Sequence, residues 1–345
     1  MLLRCLLPCL LSASALAAPP SAAPAVPVER EFRDWVVTCD NLRHCVAEGA
    51  DTDDPSLVLR FLRDAGPAGE ARTEIHGADP GALTGRLHLD EQALIIGNEH
   101  WQQGQGDDDD AWHCDDAGTI AKFIDAIRNG KRLSIDDAGA SLDGLVAALL
   151  FVDEVQQRSG GETAWIRRGA RLASAVPPAP KAPGLRPAPY RGVELDSKTT
   201  QALIAAASEL AQAPDSDCDL EDDDEPEKLA FRLNDSEALV LLECGRGAYQ
   251  SGYRAYRGPI AQPAKLRMIS LPALPGEHRE DWLMSAGYDP KTARLSQFAK
   301  GRGLGDCGDS DEWLFDGRDF LLVAATRQTR CQGVMLDFPS LWRNE

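Results

Sequence analysis

The chain lacks most of the patterns that announce chemistry. It has no C-x-x-C pair, no G-x-S-x-G turn and no H-x-x-x-H spacing. These absences remove the commonest zinc framework, the nucleophile elbow of α/β-hydrolases and the helical two-histidine metal motif. The six histidines, His44, His76, His88, His100, His113 and His278, are scattered and read as surface or edge residues. Cations are also short: 36 Lys and Arg stand against 55 Asp and Glu, a net charge of −19. Nucleic acid and anionic membranes are both recognised through clustered Lys and Arg, so neither is an expected partner. No apolar run reaches the roughly 20 residues of a membrane span.

The one Leu-rich stretch, Leu2 to Leu16, follows Met1, contains Arg4 and Pro8, and ends in Ala15-Leu16-Ala17. That is the layout of a cleaved export signal. Residues 1–17 are therefore expected to be removed, and no cysteine stands just after the cut to carry a lipid. The predicted location is the periplasm or the secreted fraction. Cys5 and Cys9 leave with the signal, and Cys39, Cys45, Cys114, Cys218, Cys244, Cys307 and Cys331 remain. An oxidising compartment makes disulfides the default. The local pairs Cys39 with Cys45, Cys218 with Cys244 and Cys307 with Cys331 suit neighbouring strands and leave Cys114 over, although the sequence alone does not fix the connectivity. No cofactor and no metal is implied.

Residues 18–28 are mostly Ala and Pro and read as a flexible tether. A first α+β domain is expected over 29–172. In it Trp35, Val37 and Cys39 fall on one face of a strand, and Cys45 returns on the next. Further strands are predicted at 57–62, 85–89 and 93–96. Ile120, Phe123, Ile124 and Ile127 then recur at helical spacing between an Asp115 or Asp116 cap and a stop at Gly130. A strand at 132–135 precedes a second helix, which Ser141 should cap and in whose first turn Gly144 hints at close backbone packing. A strand at 163–166 should end the domain. Residues 173–190 hold repeated prolines and form the expected stiff linker. The second domain, 191–345, should open with a helix capped by Asp196 or Ser197, burying Leu203, Ile204, Ala207 and Leu210. An antiparallel meander should follow, with strands including 228–233, 293–298, 320–326 and 334–338. The fold class is thus α+β: two mainly antiparallel-sheet domains with a few helices and local disulfides.

The least generic stretch is KGRGLGDCGDSDEWLFDGRDF, from Lys300 to Phe320. Lys300, Gly301, Arg302, Gly303 and Gly305 are the candidate ligand-binding residues, since backbone amides in such a turn can form an anion-holding nest. The rival use of these glycines is a tight connection that positions Cys307. A nucleotide phosphate loop is excluded, because Asp306 and a strand follow rather than Lys-Ser/Thr and a helix. In DSDCDLEDDDEPE the Asp215, Asp217 and Asp219 spacing begins like an EF-hand loop. Leu220 and Pro226 then occupy the positions where that motif needs Gly and Glu.

Several blocks together carry a resemblance: DWVVTCDNLRHC, the W-H-C-D at Trp112 to Asp115, SLDGLVAALLFVDEVQQR, GRGLGDCGDSDEWLFDG, the late C-Q-G and the closing LWR. In these the chain resembles the exported bacterial proteins of domain-of-unknown-function family 1176, along nearly its whole mature length. That family's usual aromatic after the cysteine matching Cys244 is Gly245 here. The resemblance implies a periplasmic location and no assigned activity. Trp35, Cys39, Cys45, Cys114, Ser141, Leu142 and Gly144 also look like the first half of the invasion-associated locus B proteins. Too few positions match for a role to transfer.

The leading functional expectation is a non-enzymatic binding or interaction protein that engages an unidentified component of the cell envelope. One alternative is an envelope hydrolase using acids near the glycine-rich turn, such as Asp306 and Asp309. Another is a calcium-dependent structural protein built on the acidic runs. No catalytic residue is assigned, and a nucleophilic Cys114 is disfavoured by the acids beside it.

Overall fold

The computed structural model describes residues 23–51, 56–77, 86–96, 99–104, 111–213, 216, 218 and 225–344. The expected signal and most of the acidic runs lie outside them. Strands β1 (Val28–Phe32), β2 (Trp35–Cys39), β3 (Cys45–Ala50), β4 (Val58–Arg63) and β5 (Ala71–His76) form an antiparallel meander. After β6 (Leu87–Leu89) and β7 (Gln92–Ala93), strands β8 (Trp101–Gln103) and β9 (Ala111–Cys114) return to the meander's far edge, completing a seven-stranded sheet. The pair β6 and β7 joins β10 (Arg132–Ile135) and β11 (Ala138–Ser141) in a four-stranded sheet.

Every residue of β2 and β3 is buried, more than simple alternation predicts. Trp35, Val37, Cys39, Ala47, Leu59 and Phe61 face a core shared with helices α1 (Ala117–Ile127) and α2 (Leu145–Val155). The opposite face presents Glu48 and Arg60, and the second half of the chain covers it. There Gln328 and Gln332 donate to Glu48 at 2.5 and 2.6 Å, and Arg60 donates to the Asp337 carbonyl at 3.1 Å. The covered face keeps its charged residues by pairing them, Arg60 with Glu48 at 3.1 Å and with Glu74 at 3.4 Å.

Asp116 caps α1, accepting from Thr119 N at 2.7 Å, and the four predicted apolar residues of that helix are buried. The start of α2 differs from expectation. Ser141 ends β11 and donates to Asp34 at 2.5 Å, whereas Gly144, at φ 105°, stands at the helix N-cap. The close packing expected at Gly144 is real, since a Cβ there would come 1.8 Å from the Phe32 carbonyl oxygen. Residues 163–166 are not a strand. They loop over Asp153, a buried carboxylate of α2 that accepts from Trp165 N and Ile166 N. Strand 93–96 shrinks to β7, for Ile95 is 89 % exposed and has no face to bury.

In the second half, Asp196 caps α3 (Ser197–Ala211), whose Leu203, Ala207 and Ala211 are buried. Leu210, expected inward, is 41 % exposed, and Ala211 takes the inward place. Strands β12 (Lys228–Arg232), β13 (Glu237–Arg246), β14 (Ser251–Pro259) and β15 (Arg267–Met268) form one sheet, with β16 (Leu283–Met284) also paired to β14. Strands β17 (Gly287–Asp289), β18 (Arg294–Lys300), β19 (Gly308–Phe315), β20 (Phe320–Gln328) and β21 (Ser340–Arg343) form another. Leu239, Leu241, Tyr253 and Ala255 pack the first sheet on Leu295, Trp313 and Phe315 of the second. The outer face of the first sheet holds α3. Residues 334–338 form no strand. The terminal strand is β21, where Trp342 packs back on the core and Arg343 N donates to Asn41 of the first half at 2.7 Å.

The architecture is α+β, mainly antiparallel, with the bridges Cys39–Cys45, Cys218–Cys244 and Cys307–Cys331 and a buried free thiol at Cys114. The Cys307–Cys331 bridge closes a separation of 24 residues. Cys307→Ser is expected to lower stability by about 3 kcal/mol on the chain-entropy estimate, more than Cys114→Ser, which breaks no link. Urea unfolding of the two variants makes the comparison, and equal losses would contradict it.

Candidate functional site

A cleft of about 590 Å³ opens where two sheets expose their edges together. β12 is the outer strand of one sheet and β17 of the other, and Phe231 meets Tyr288 between them with ring centroids 5.4 Å apart. Burial, with Asp289 adding to it, pushes the Tyr288 phenol up to about 12, so the ring acts as a neutral apolar wall. Ala188 to Arg191 and Val193 to Leu195, a segment without helix or strand, also line the cleft, and Ala188 N donates to the Phe315 carbonyl at 2.8 Å. Tyr190 and Val193 stand half exposed at its mouth, and Thr200 of α3 is part of its lining.

The hydrogen-bond phase of β12 fixes what this edge offers. Leu233 N donates to the Glu237 carbonyl and Glu243 N to that of Glu227, so the odd-numbered residues bond to β13. In an antiparallel pair the alternate residues turn both backbone groups the other way. Lys228, Ala230 and Arg232 therefore aim N–H and C=O outward, and among the described residues nothing bonds them. The Arg232 guanidinium has no ion-pair partner among the described residues, and its Nε is buried without a hydrogen bond. Its neighbour Arg191 is already paired with Asp235 at 3.1 Å.

The glycine-rich turn is largely engaged with itself. Lys300 N donates to Gln250 Oε1 at 2.8 Å, Gly301 N to the Cys307 carbonyl at 2.8 Å and Gly305 N to the Arg302 carbonyl at 2.9 Å. Arg302 pairs with the buried carboxylate of Asp306, which also accepts from Gly333 N at 2.6 Å. Gly303 lies beside Tyr249, 3.6 Å from where its Cβ would stand. Asp306 sits beside Cys307 and Cys331, but both sulfurs are committed to their bridge and cannot ligate a metal.

The Arg302 hydrogen bond, against the cost of burial, holds the Asp306 carboxyl down at about 2. A depressed folded-state value stabilises above the ordinary carboxylate range, and that contribution is lost as pH falls from about 4 to about 2. Asp306→Asn should therefore melt below wild type at pH 7 and level with it near pH 2, by melting temperature against pH. A gap of constant size would remove the charge from the account.

Asp309 lies apart from Asp306, in a more polar cleft of about 430 Å³ with Asp311, Glu277, His278, Arg279 and Arg327. Gln297 Nε2 donates to both Asp309 and Asp311, at 3.0 and 2.9 Å, so the two carboxylates are neighbours. Burial, then the charge of Asp311, raises the Asp309 carboxyl above its usual range. Arg279 pairs with Asp311 at 2.5 Å. Burial likewise pushes the Cys114 thiol up, which opposes thiolate chemistry. Asp107 to Asp110 and Asp215, Asp217 and Asp219 lie outside the described residues.

Neither cleft is legible as a motif. Phe231 and Tyr288 are far apart in sequence, and only the stacking of two sheets brings their edge strands together. The signal available was the alternation in KLAFRL, which marks β12 as a strand but not as an edge.

The chain matches, over residues 29–345, the family described as "Protein of unknown function (DUF1176)". It is 34% identical over 343 residues to the "Uncharacterized protein YpfG" of Escherichia coli (strain K12), covering 94% of this chain and 95% of that protein. No solved structure matches it. With blocks from DWVVTC to LWR spread along the matched span, the chain belongs to the DUF1176 family.

Proposed function

We propose that this protein is an extracytoplasmic binding protein of the cell envelope whose ligand seats in the cleft between β12 and β17. The observation that carries the reading is that cleft: about 590 Å³, mainly apolar on its walls, and bordered by a strand whose outward backbone groups nothing bonds among the described residues. A preformed pocket with an apolar wall and a few convergent polar groups is the usual form of a ligand site. The signal-like N-terminus and three disulfides support a periplasmic or secreted location. Among the described residues no helix is long and apolar enough to cross a membrane. In this reading 29–172 and 191–345 are the two domains and 173–190 their linker. The glycine-rich turn is a second contact surface, through the Lys300 ammonium and the exposed Leu304 rather than through its amides.

Thr200→Trp places a large ring in the cleft from a half-buried position on α3 that is not itself a core residue. Brief crosslinking in intact envelopes should yield adducts with wild type that Thr200→Trp loses, and a Lys300→Ala, Arg302→Ala double variant should keep most of them. Adducts lost only in the double variant would move the site to the turn.

The neighbouring carboxylates favour a second reading, hydrolysis of an envelope polymer, with Asp309 as proton donor and Asp311 opposite it. Asp309→Asn should abolish any such activity while raising stability at neutral pH. A folded value above the ordinary one favours folding below the ordinary range, and that gain is lost as pH rises through the folded value. Hydrolysis unchanged by Asp309→Asn would end this reading.

A further inference from the structure

Resting on that binding reading, we infer that the cleft takes an extended peptide carrying a carboxylate, added as an outer strand to β12 with its carboxylate on Arg232. The cleft reaches both faces of β12. Phe231, on the face turned to the second sheet, and Ala230 and Arg232, on the face turned to α3, all line it. A cleft touches both faces of one strand when it wraps that strand's outer edge. Along this edge Lys228, Ala230 and Arg232 present donors and acceptors at the two-residue repeat of a β ladder. An extended backbone meets such a row in register along its length, which favours a peptide over a glycan or a simple anion as the occupant.

Charge selects the second feature. On a chain of net charge −19, the Arg232 guanidinium forms no ion pair among the described residues, although its Nε is buried. Asp235 is taken by Arg191. A planar guanidinium in that state matches a carboxylate fork. Side chains of an added strand would alternate between the Phe231–Tyr288 wall and the α3 side, so apolar residues should alternate with small or polar ones.

The test uses the full mature chain and a pool of capped, randomised hexapeptides, identifying those retained. The retained set should be enriched in Asp or Glu and in alternating apolar residues. N-methylating alternate amides of a retained peptide should weaken it by about tenfold or more in one of the two phases only, because a single phase faces β12. Ala230→Pro should abolish retention with the melting temperature nearly unchanged, since the amide it removes points away from β13. Arg232→Gln should bind acid and amide versions of the peptide equally. Retention that ignores N-methylation overturns strand addition, and enrichment of acids surviving Arg232→Gln overturns the carboxylate contact. A concentration-dependent dimer lost in Ala230→Pro, with no peptide retained, makes a second copy the occupant and overturns the inference. If glycan fragments are retained by wild type and lost by Thr200→Trp while peptides are not, the cleft stands as a site and the peptide is excluded. Retention of neither class contradicts both.

Discussion

Replacing Asp153 with alanine is expected to lower the unfolding free energy by about 3–5 kcal/mol, the scale of breaking a buried ion pair from one side. Asp153 has no exposed surface, and its carboxylate accepts from Arg63 at 2.7 Å, from Trp165 N at 3.0 and 2.9 Å and from Ile166 N at 3.1 Å. Burial pushes the Arg63 guanidinium down to about 10 even with Asp153 beside it. Alanine would leave that cation uncompensated and two buried amides without an acceptor. Asp153→Asn keeps one oxygen for the loop amides and should fall between alanine and wild type. Urea denaturation followed by tryptophan fluorescence reads both, Trp165 being in the loop itself. A loss below about 1 kcal/mol for alanine would show that the loop holds without the carboxylate.

Gly144→Ala is the second large effect, expected to cost about 2–5 kcal/mol from left-handed backbone strain added to overpacking. At φ 105° an L-residue is strained whatever the space, and here the added Cβ would stand 1.8 Å from a backbone oxygen of Phe32. That oxygen belongs to β1, so the loop before α2 or the strand must move. The same glycine is where α2 meets the turn that Asp34 and Ser141 tie together at 2.5 Å. Thermal unfolding measures the loss. A variant as stable as wild type would mean that β1 shifts freely, and that Phe32 is not a fixed neighbour of α2.

The helices were the most legible part of the chain, because α1 and α3 each bury one face and the period of 3.6 survives. Ile120, Phe123, Ile124 and Ile127 marked α1 with its Asp116 cap. What the sequence hid has a common cause in contacts between distant segments. Thr163 to Ile166 carries the apolar residues of a strand, but its amides are taken by Asp153, not by a neighbouring strand. Glu48 and Arg60 look like solvent-facing positions until the second half covers them with Gln328, Gln332 and Asp337. At the glycine-rich turn the glycines were plain, yet the anion that Arg302 binds is the chain's own Asp306. The cleft was invisible for the same reason. A free strand edge is a property of sheet order, and nothing in KLAFRL states which neighbour is absent.

The most direct test of the central claim places a photoreactive residue at Val193, half exposed at the cleft mouth, and a control at Met335, equally exposed elsewhere. Irradiation in intact envelopes should give a discrete adduct from Val193, absent from Met335 and lost when Thr200→Trp fills the cleft. Equal adducts from both positions, or an adduct from Val193 that survives the filled cleft, would contradict a ligand site between β12 and β17.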